Sequence, residues 1–299
     1  MIVAFLRLSR LKFLVGGFLG FGLGAAIASY EGAALTPGRY ALGQALVTAF
    51  HLMTHYSNDY FDRASDARTT RTAFSGGSGA LVDGSLPPVV ALVAALVCLA
   101  VGLALTVAFA LREEWTMTIL GMAIAGLAWS YSSPPLRLLA TGAGEATTAL
   151  VVAVLVPLAG YATFMDRIDV LSVLSTLPLA AAMIAMMLCV EFPDVEADAA
   201  TGKRNLVVRL GRAGSVRLIY GAIVAVAVGL AVAVFFGAPA RLALVAIVVG
   251  GGGGALFSAL ATGRYTTPRE NAAIAFRGVV LYISTAIAAL LAYLSLVFV

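Results

Sequence analysis

The chain has 299 residues, 61% of them hydrophobic and only 11% charged, with a mean hydropathy of +1.00. A soluble domain carries about 25% charged residues, so a large water-soluble core is excluded and lipid is the expected solvent for most of the chain. The formal net charge is +4, and in a membrane protein the placement of those cations says more than their sum.

Arg7, Arg10 and Lys12 precede an apolar run from Phe13 to Ser29. That order imitates a secretory signal, but the run is nearer spanning length, so a retained first helix is expected. At about 20 apolar residues per crossing, the sequence predicts an all-α, polytopic membrane protein of about nine transmembrane helices. They fall near 12–30, 39–57, 88–111, 115–132, 143–164, 170–190, 214–236, 240–262 and 272–298. Cys98 and Cys189 lie inside these apolar runs with no spacing that suggests a disulfide framework or zinc site.

Short polar joints such as Arg112-Glu113-Glu114 and Asp166-Arg167-Ile168-Asp169 separate the helices on one side, and longer polar segments on the other. The N-terminus and the long segments carry 15 Lys and Arg residues; the opposite face keeps only Arg39, Arg112, Arg167 and Arg241. The positive-inside rule therefore puts the N-terminus and long loops in the cytoplasm and, with nine crossings, the C-terminus outside. The expected home is a cell (inner) membrane.

The halves echo each other. Asn58 and Asp62 follow the second helix as Asp194 and Asp198 follow the sixth; Tyr131-Ser132-Ser133-Pro134 follows the fourth as Tyr265-Thr266-Thr267-Pro268 follows the eighth. Two four-helix pseudo-repeats, about 12–137 and 143–270, plus a ninth helix would explain this, within one domain.

The first acidic cluster is Asn58-Asp59-Tyr60-Phe61-Asp62-Arg63-Ala64-Ser65-Asp66. If the helix continues, Asn58, Asp62 and Asp66 stack on one face, with Asp59 beside them. Carboxylates so close repel one another unless a cation compensates. The second cluster, Glu191 to Asp198, puts Glu191, Asp194 and Asp198 on one face, with Pro193 set to interrupt the helix. Each alone could be a solvated helix end. Two at the same depth, in equivalent places, favour a hard-cation site, and oxygen ligands without nearby His or Cys suit Mg²⁺. With Lys and Arg alongside, they describe a metal-bridged diphosphate site.

His51 and His55, one turn before the first cluster, are read as packing or supporting residues. The Gly250 to Gly254 run is read chiefly as close helix packing, with room for a hydrocarbon chain as the other reading.

At these residues the chain resembles the UbiA superfamily of intramembrane prenyltransferases. Asn58, Asp59, Asp62 and Asp66 match its first aspartate motif. Asp194, Asp198, Gly202-Lys203 and Val208-Arg209-Leu210-Gly211 match its second, with Tyr131 to Arg137 and Gly142-Ala143-Gly144-Glu145 between them. The segment Gly76 to Gly84 resembles the menaquinone branch, which prenylates 1,4-dihydroxy-2-naphthoate. Glu191 and Pro193 depart from that branch, so acceptors of 4-hydroxybenzoate, tetrapyrrole or glycerol-phosphate type stay open.

The resemblance implies transfer of an isoprenyl group from a prenyl diphosphate to a small aromatic acceptor, with Mg²⁺ as cofactor, membrane lipid around it and no nucleic acid. It implies Mg²⁺ ligands in Asn58, Asp62, Asp66, Asp194 and Asp198, and catalytic work by Asp62, Asp198 and Lys203. Substrate contacts would come from Asp59, Arg63, Tyr131, Arg137 and Arg209, and Tyr60, Tyr131 or Phe192 would face the allylic cation. A secondary transporter is the competing class, but its ionisable groups belong near the bilayer midplane rather than at one surface.

Overall fold

The structure is a computed structural model of the chain and describes residues 1–68, 71, 74 and 76–295. Among these residues it is all-helical. The helices are α1 (Ile2–Ser9), α2 (Leu14–Tyr30), α3 (Pro37–Asp66), α4 (Pro88–Ala110), α5 (Trp115–Ser132), α6 (Gly144–Leu150) and α7 (Val156–Met165). They continue as α8 (Val170–Glu191), α9 (Val195–Ala200), α10 (Leu206–Phe235), α11 (Val245–Ala261) and α12 (Pro268–Leu294).

Helix covers each of the nine predicted segments, although residues 296–298 of the last lie outside the described residues. By length and apolarity, seven segments are able to cross a membrane. The remaining two long helices, α3 and α5, carry more polar and hydroxyl side chains. Two features were not foreseen. A short helix, α1, precedes the first long one and breaks at Arg10 in the left-handed region (φ 45°). And α10 bends at Gly211 (φ 66°), where its backbone is not helical.

Close packing rests on small residues. α2 and α7 cross backbone to backbone, because a Cβ at Gly24 would strike the Pro157 carbonyl and one at Gly160 the Phe21 carbonyl. A Cβ at Gly278 on α12 would lie 2.6 Å from Cβ of Cys189 on α8. The Gly250–Gly254 run behaves differently: only Gly252 and Gly253 meet neighbouring side chains, Leu281 and Ile223, and the other three face open space. Three apolar cores form, one around Phe50, Met53, Phe109 and Leu120, a second around Leu188, Phe192, Leu230 and Leu281, and a smaller third around Leu8, Tyr56, Leu86 and Ala91.

The short joints gather at one end of the bundle. Arg39 at the start of α3 pairs with Glu114 at 2.9 Å and donates to the Thr163 carbonyl, tying α3 to α5 and α7. Tyr161 donates to Glu31 and Asp169 nearby, with Arg167 alongside. The opposite end is thereby left to the two acidic motifs.

A methyl at the α2–α7 crossing has nowhere to go, so Gly24→Ala should cost about 3 kcal/mol or more. In detergent its melting temperature should fall well below wild type. Gly126→Ala, which meets nothing within 4 Å, should melt as wild type does.

Candidate active site

α3 continues helically to Asp66, so Asn58, Asp62 and Asp66 do share one face. Asn58 donates to Asp62 (3.2 Å) and to the Ser132 hydroxyl (3.0 Å), which fixes its amide against the last residue of α5. Asp59 faces the other way. It pairs with Arg10 and accepts from both the backbone N–H and the hydroxyl of Ser78. The glycine-rich segment is thus clamped to the motif: Gly77, at φ +64°, lies so close to the Asp66 carboxylate that a Cβ would overlap it, and Asp83 pairs with Arg7 at 2.6 Å.

The second motif is built by a break. Pro193 cannot donate a backbone hydrogen bond, and α8 gives way to a 3₁₀ turn over Phe192–Asp194 before α9. Gly202, at φ +79°, then turns the chain back, and the Lys203 N–H bonds the Asp198 carbonyl at 3.0 Å. Asn205 does two jobs. Its carbonyl oxygen caps α10 by accepting from Val208 N–H (2.9 Å), and its amide donates to Asp198 (2.8 Å). The Glu145 carboxylate accepts from Leu206 N–H at 2.5 Å, holding the same turn from α6.

The two motifs meet through one ammonium. Lys203 Nζ lies 3.2 Å from Asp62 and 3.4 Å from Asp198, and the three side chains are at most 13% exposed. Burial alone would lower the Lys203 ammonium, but Asp62 and Asp198 outweigh it and hold its pKa above the ordinary value. Arg137, reaching from the loop after α5, lies 3.5 Å from the other Asp62 oxygen. That oxygen is buried and accepts no hydrogen bond among the described residues.

Other expected residues lie elsewhere. Arg63 turns outward, donating to the Tyr60 carbonyl at 2.5 Å and covering the Tyr60 ring at 4.7 Å. Arg209 donates to the Arg204 carbonyl and braces the loop rather than entering the cluster. Phe192 is fully buried against Tyr265. The structure does not bring Arg63, Arg209, Tyr60 or Phe192 into the site. Arg10, Ser78, Ser132 and Asn205 belong to its framework and were missed: hydroxyls, amides and an N-terminal arginine carry no spacing signal.

Behind the charged cluster opens a cavity of about 420 Å³, its wall including Arg10, Lys12, Asn58 and Tyr131. The remaining wall is mostly apolar, from Val47, Phe50, Ile124, Val151, Val152, Met183 and Met187. Val151 and Val152 stand on a π-helical turn, Val151–Leu155, between α6 and α7. Such turns widen a helix and re-aim its side chains.

The oxygen-rich donor set fits a hard cation. Among the described residues no three His, Cys, Asp or Glu side chains form a ready-made metal cluster, and Lys203 and Arg137 stand beside the acids. Mg²⁺ needs only one or two carboxylates and completes its shell with water and phosphate. The Asp62 oxygen without a hydrogen bond and the Asp66 carboxyl are the groups that a cation would relieve.

Burial, and then the neighbouring Asp62 charge, push the Asp66 pKa up to about 7. A carboxyl raised in the folded state supports stability below its unfolded value and loses that support as pH rises through about 7. In Mg²⁺-free buffer at pH 8, Asp66→Asn should therefore melt about 3 °C above wild type. The gain should shrink toward pH 4; a gain independent of pH would refute the assignment.

The profile of the UbiA prenyltransferase family matches residues 17–286. A UbiA homologue from Archaeoglobus fulgidus bound to DMAPP and Mg²⁺ superposes with a TM-score of 0.67 at 16% identity, covering 95% of this chain and 99% of that one. A UbiA homologue from Aeropyrum pernix K1 gives 0.65 at 17% identity, over 90% and 96% of the two chains. The 1,4-dihydroxy-2-naphthoate octaprenyltransferase of Bacillus subtilis (strain 168) is 24% identical over 168 residues, 56% of this chain and about half (53%) of that protein's length. With nearly the whole helical core inside the family match, the chain belongs to the UbiA prenyltransferase family.

Proposed function

We propose that this protein transfers an isoprenyl group from a prenyl diphosphate to a small aromatic acceptor of the 1,4-dihydroxy-2-naphthoate type. The observation that carries this reading is Lys203 bridging Asp62 and Asp198, side chains from opposite halves of the sequence, beside an apolar cavity. A diphosphate has its charge at one end and its hydrocarbon at the other, and this site has the same polarity. The naphthoate acceptor is supported by the Bacillus subtilis relative and by the Gly76 to Gly84 segment.

In this reading Asn58, Asp62, Asp66, Asp194 and Asp198 hold Mg²⁺, which when bound neutralises the diphosphate and stabilises it as a leaving group. Lys203 and Arg137 exchange their carboxylate partners for phosphate oxygens, Arg137 with two donors in one plane. Asp59 acts indirectly, by fixing Arg10 and the glycine-rich segment. Cleavage of the allylic C–O bond leaves a carbocation, and the Tyr131 ring in the cavity wall offers its face to that charge. The apolar walls keep water from the cation until the acceptor carbon bonds to it and sheds the proton or carboxylate (as CO2) that it carried, which restores the aromatic ring.

We further propose nine crossings in two pseudo-repeats, with the N-terminus and the site in the cytoplasm and the C-terminus outside. The 15-to-4 distribution of Lys and Arg supports this, as does the gathering of the short joints at the end away from the site.

The test is diphosphate release and prenylated product, read by mass spectrometry, across prenyl diphosphates and acceptors including 1,4-dihydroxy-2-naphthoate and 4-hydroxybenzoate. Asp62→Ala, Asp198→Ala and Lys203→Met should each lower kcat/KM by at least about 100-fold, in line with loss of charge stabilisation at a transition state. Chelation of Mg²⁺ should abolish turnover, and Arg63→Ala should stay within about threefold of wild type. Normal turnover in the aspartate variants would overturn the mechanism.

A further inference from the structure

α1 has two apolar faces, and the bundle covers only one. Leu8 is fully buried with Leu86, Ala91 and Ala95, and the Ser9 hydroxyl bonds the Tyr56 hydroxyl at 2.8 Å. Ile2, Val3 and Leu6 share the opposite side of the helix, where they are 79%, 79% and 51% exposed. The eight residues of α1 rise only about 12 Å, against a hydrocarbon core of about 30 Å. α1 therefore crosses nothing by itself, and its break at Arg10 separates it from α2.

The uncovered face continues a surface that faces lipid. Phe5 packs beside Tyr56, with ring centroids 5.7 Å apart, and lines an apolar groove of about 400 Å³ with Val89, Val93 and Val97 of α4. α4 is long and apolar enough to cross a membrane. Its three valines stand at i, i+4 and i+8, each more than half exposed, and form one outward stripe. The cations of this region turn instead toward the protein. Arg7 pairs with Asp83 and donates to the Ser85 hydroxyl (3.1 Å), Arg10 pairs with Asp59, and Lys12 lies over the Phe13 ring at 4.9 Å. α1 and its break thus hold both ends of the glycine-rich segment. Asp59, fixed by Arg10, accepts from Ser78 at one end; Asp83, fixed by Arg7, stands at the other, where its N–H bonds the Gly79 carbonyl at 3.0 Å.

We propose that α1 lies in the membrane interface and that this contact with lipid steadies the glycine-rich segment over Asp66. An apolar helix face beside a spanning helix, at the level where the chain leaves the hydrocarbon, suits the boundary between acyl chains and headgroups. The partner is the apolar side of that boundary rather than a charged headgroup, because Arg7 and Arg10 already have carboxylate partners and the surface turned outward is hydrocarbon. Lipid on Ile2, Val3 and Leu6 presses Leu8 and Ser9 onto the bundle, and Arg7 and Arg10 carry that restraint to Asp83 and Asp59. The inference is independent of which reaction the site performs.

The experiment places a nitroxide at Val3→Cys, with Cys98→Ala and Cys189→Ala to confine the label, in lipid nanodiscs of phosphatidylcholine with and without phosphatidylglycerol. Its relaxation is read with oxygen, which enters lipid, and with a water-soluble nickel chelate. Oxygen should act at least about threefold more strongly than the chelate in both lipids. Hydrogen exchange of the amides from 79 to 86 is followed in the same discs, with α8 as the control for the fold. The combined variant Ile2→Gln, Val3→Gln, Leu6→Gln, which alters only the outward face, should speed that exchange about tenfold or more and leave α8 unchanged. Arg7→Gln should speed it as much while the label stays in lipid, since the face is intact and the tie is cut. A label at residue 3 open to the chelate would overturn the lipid contact and leave that face to a protein partner. Entry into lipid only with phosphatidylglycerol would overturn the apolar partner in favour of headgroup charge. A label in lipid with exchange unchanged in the glutamine variants would overturn the restraint on the glycine-rich segment.

Discussion

Everything in this bundle is arranged around a charge problem. Asp62 and Asp198 come from sequence segments far apart, both are largely buried, and a single ammonium, Lys203, stands between them. Two carboxylates so placed repel strongly where the dielectric is low. Removing the partner of a buried charge costs several kcal/mol, so the pair tolerates only states in which a cation is present. Lys203 fills that need here; in the proposed mechanism a divalent metal with its diphosphate would take its place.

The surrounding contacts keep that arrangement in place. Asn205 caps α10 and holds Asp198, so the start of a helix and the aim of a carboxylate are fixed by one side chain. Glu145 secures the same turn from α6. On the other side, Arg10 and Ser78 take Asp59 out of the cluster and bind the glycine-rich segment over Asp66. At the far end, Arg39 and Glu114 hold three helices together. The α2–α7 crossing brings helix backbones together, while the π-helical turn continues the wall of the cavity. A rigid frame thus encloses one soft, chargeable region.

Much of this is legible in the sequence. Apolar runs gave the helices because spanning length and composition leave few alternatives, and the i, i+4 spacing of Asn58, Asp62 and Asp66 held once α3 ran through them. Pro193 marked its break correctly. What the sequence did not place were the long, flexible cations. Arg63 and Arg209 sit in the right segments, yet each found a nearer carbonyl, and sequence position does not choose among rotamers. The Gly250–Gly254 run misled for a related reason: only two of its glycines face a neighbour. Arg10, Ser78 and Asn205 escaped notice because their role is set by chain reversal at Arg10, Gly77 and Gly202, which composition does not announce.

The account stands on Asp62 and Asp198 acting as one site, and a double-mutant cycle on geranyl diphosphate affinity in saturating Mg²⁺, by calorimetry, measures that directly. Asp62→Asn and Asp198→Asn should each weaken binding strongly, and the double variant little more than either single. That corresponds to a coupling of about 1–3 kcal/mol. Strictly additive losses would mean that the two motifs bind independently, and would contradict the shared site.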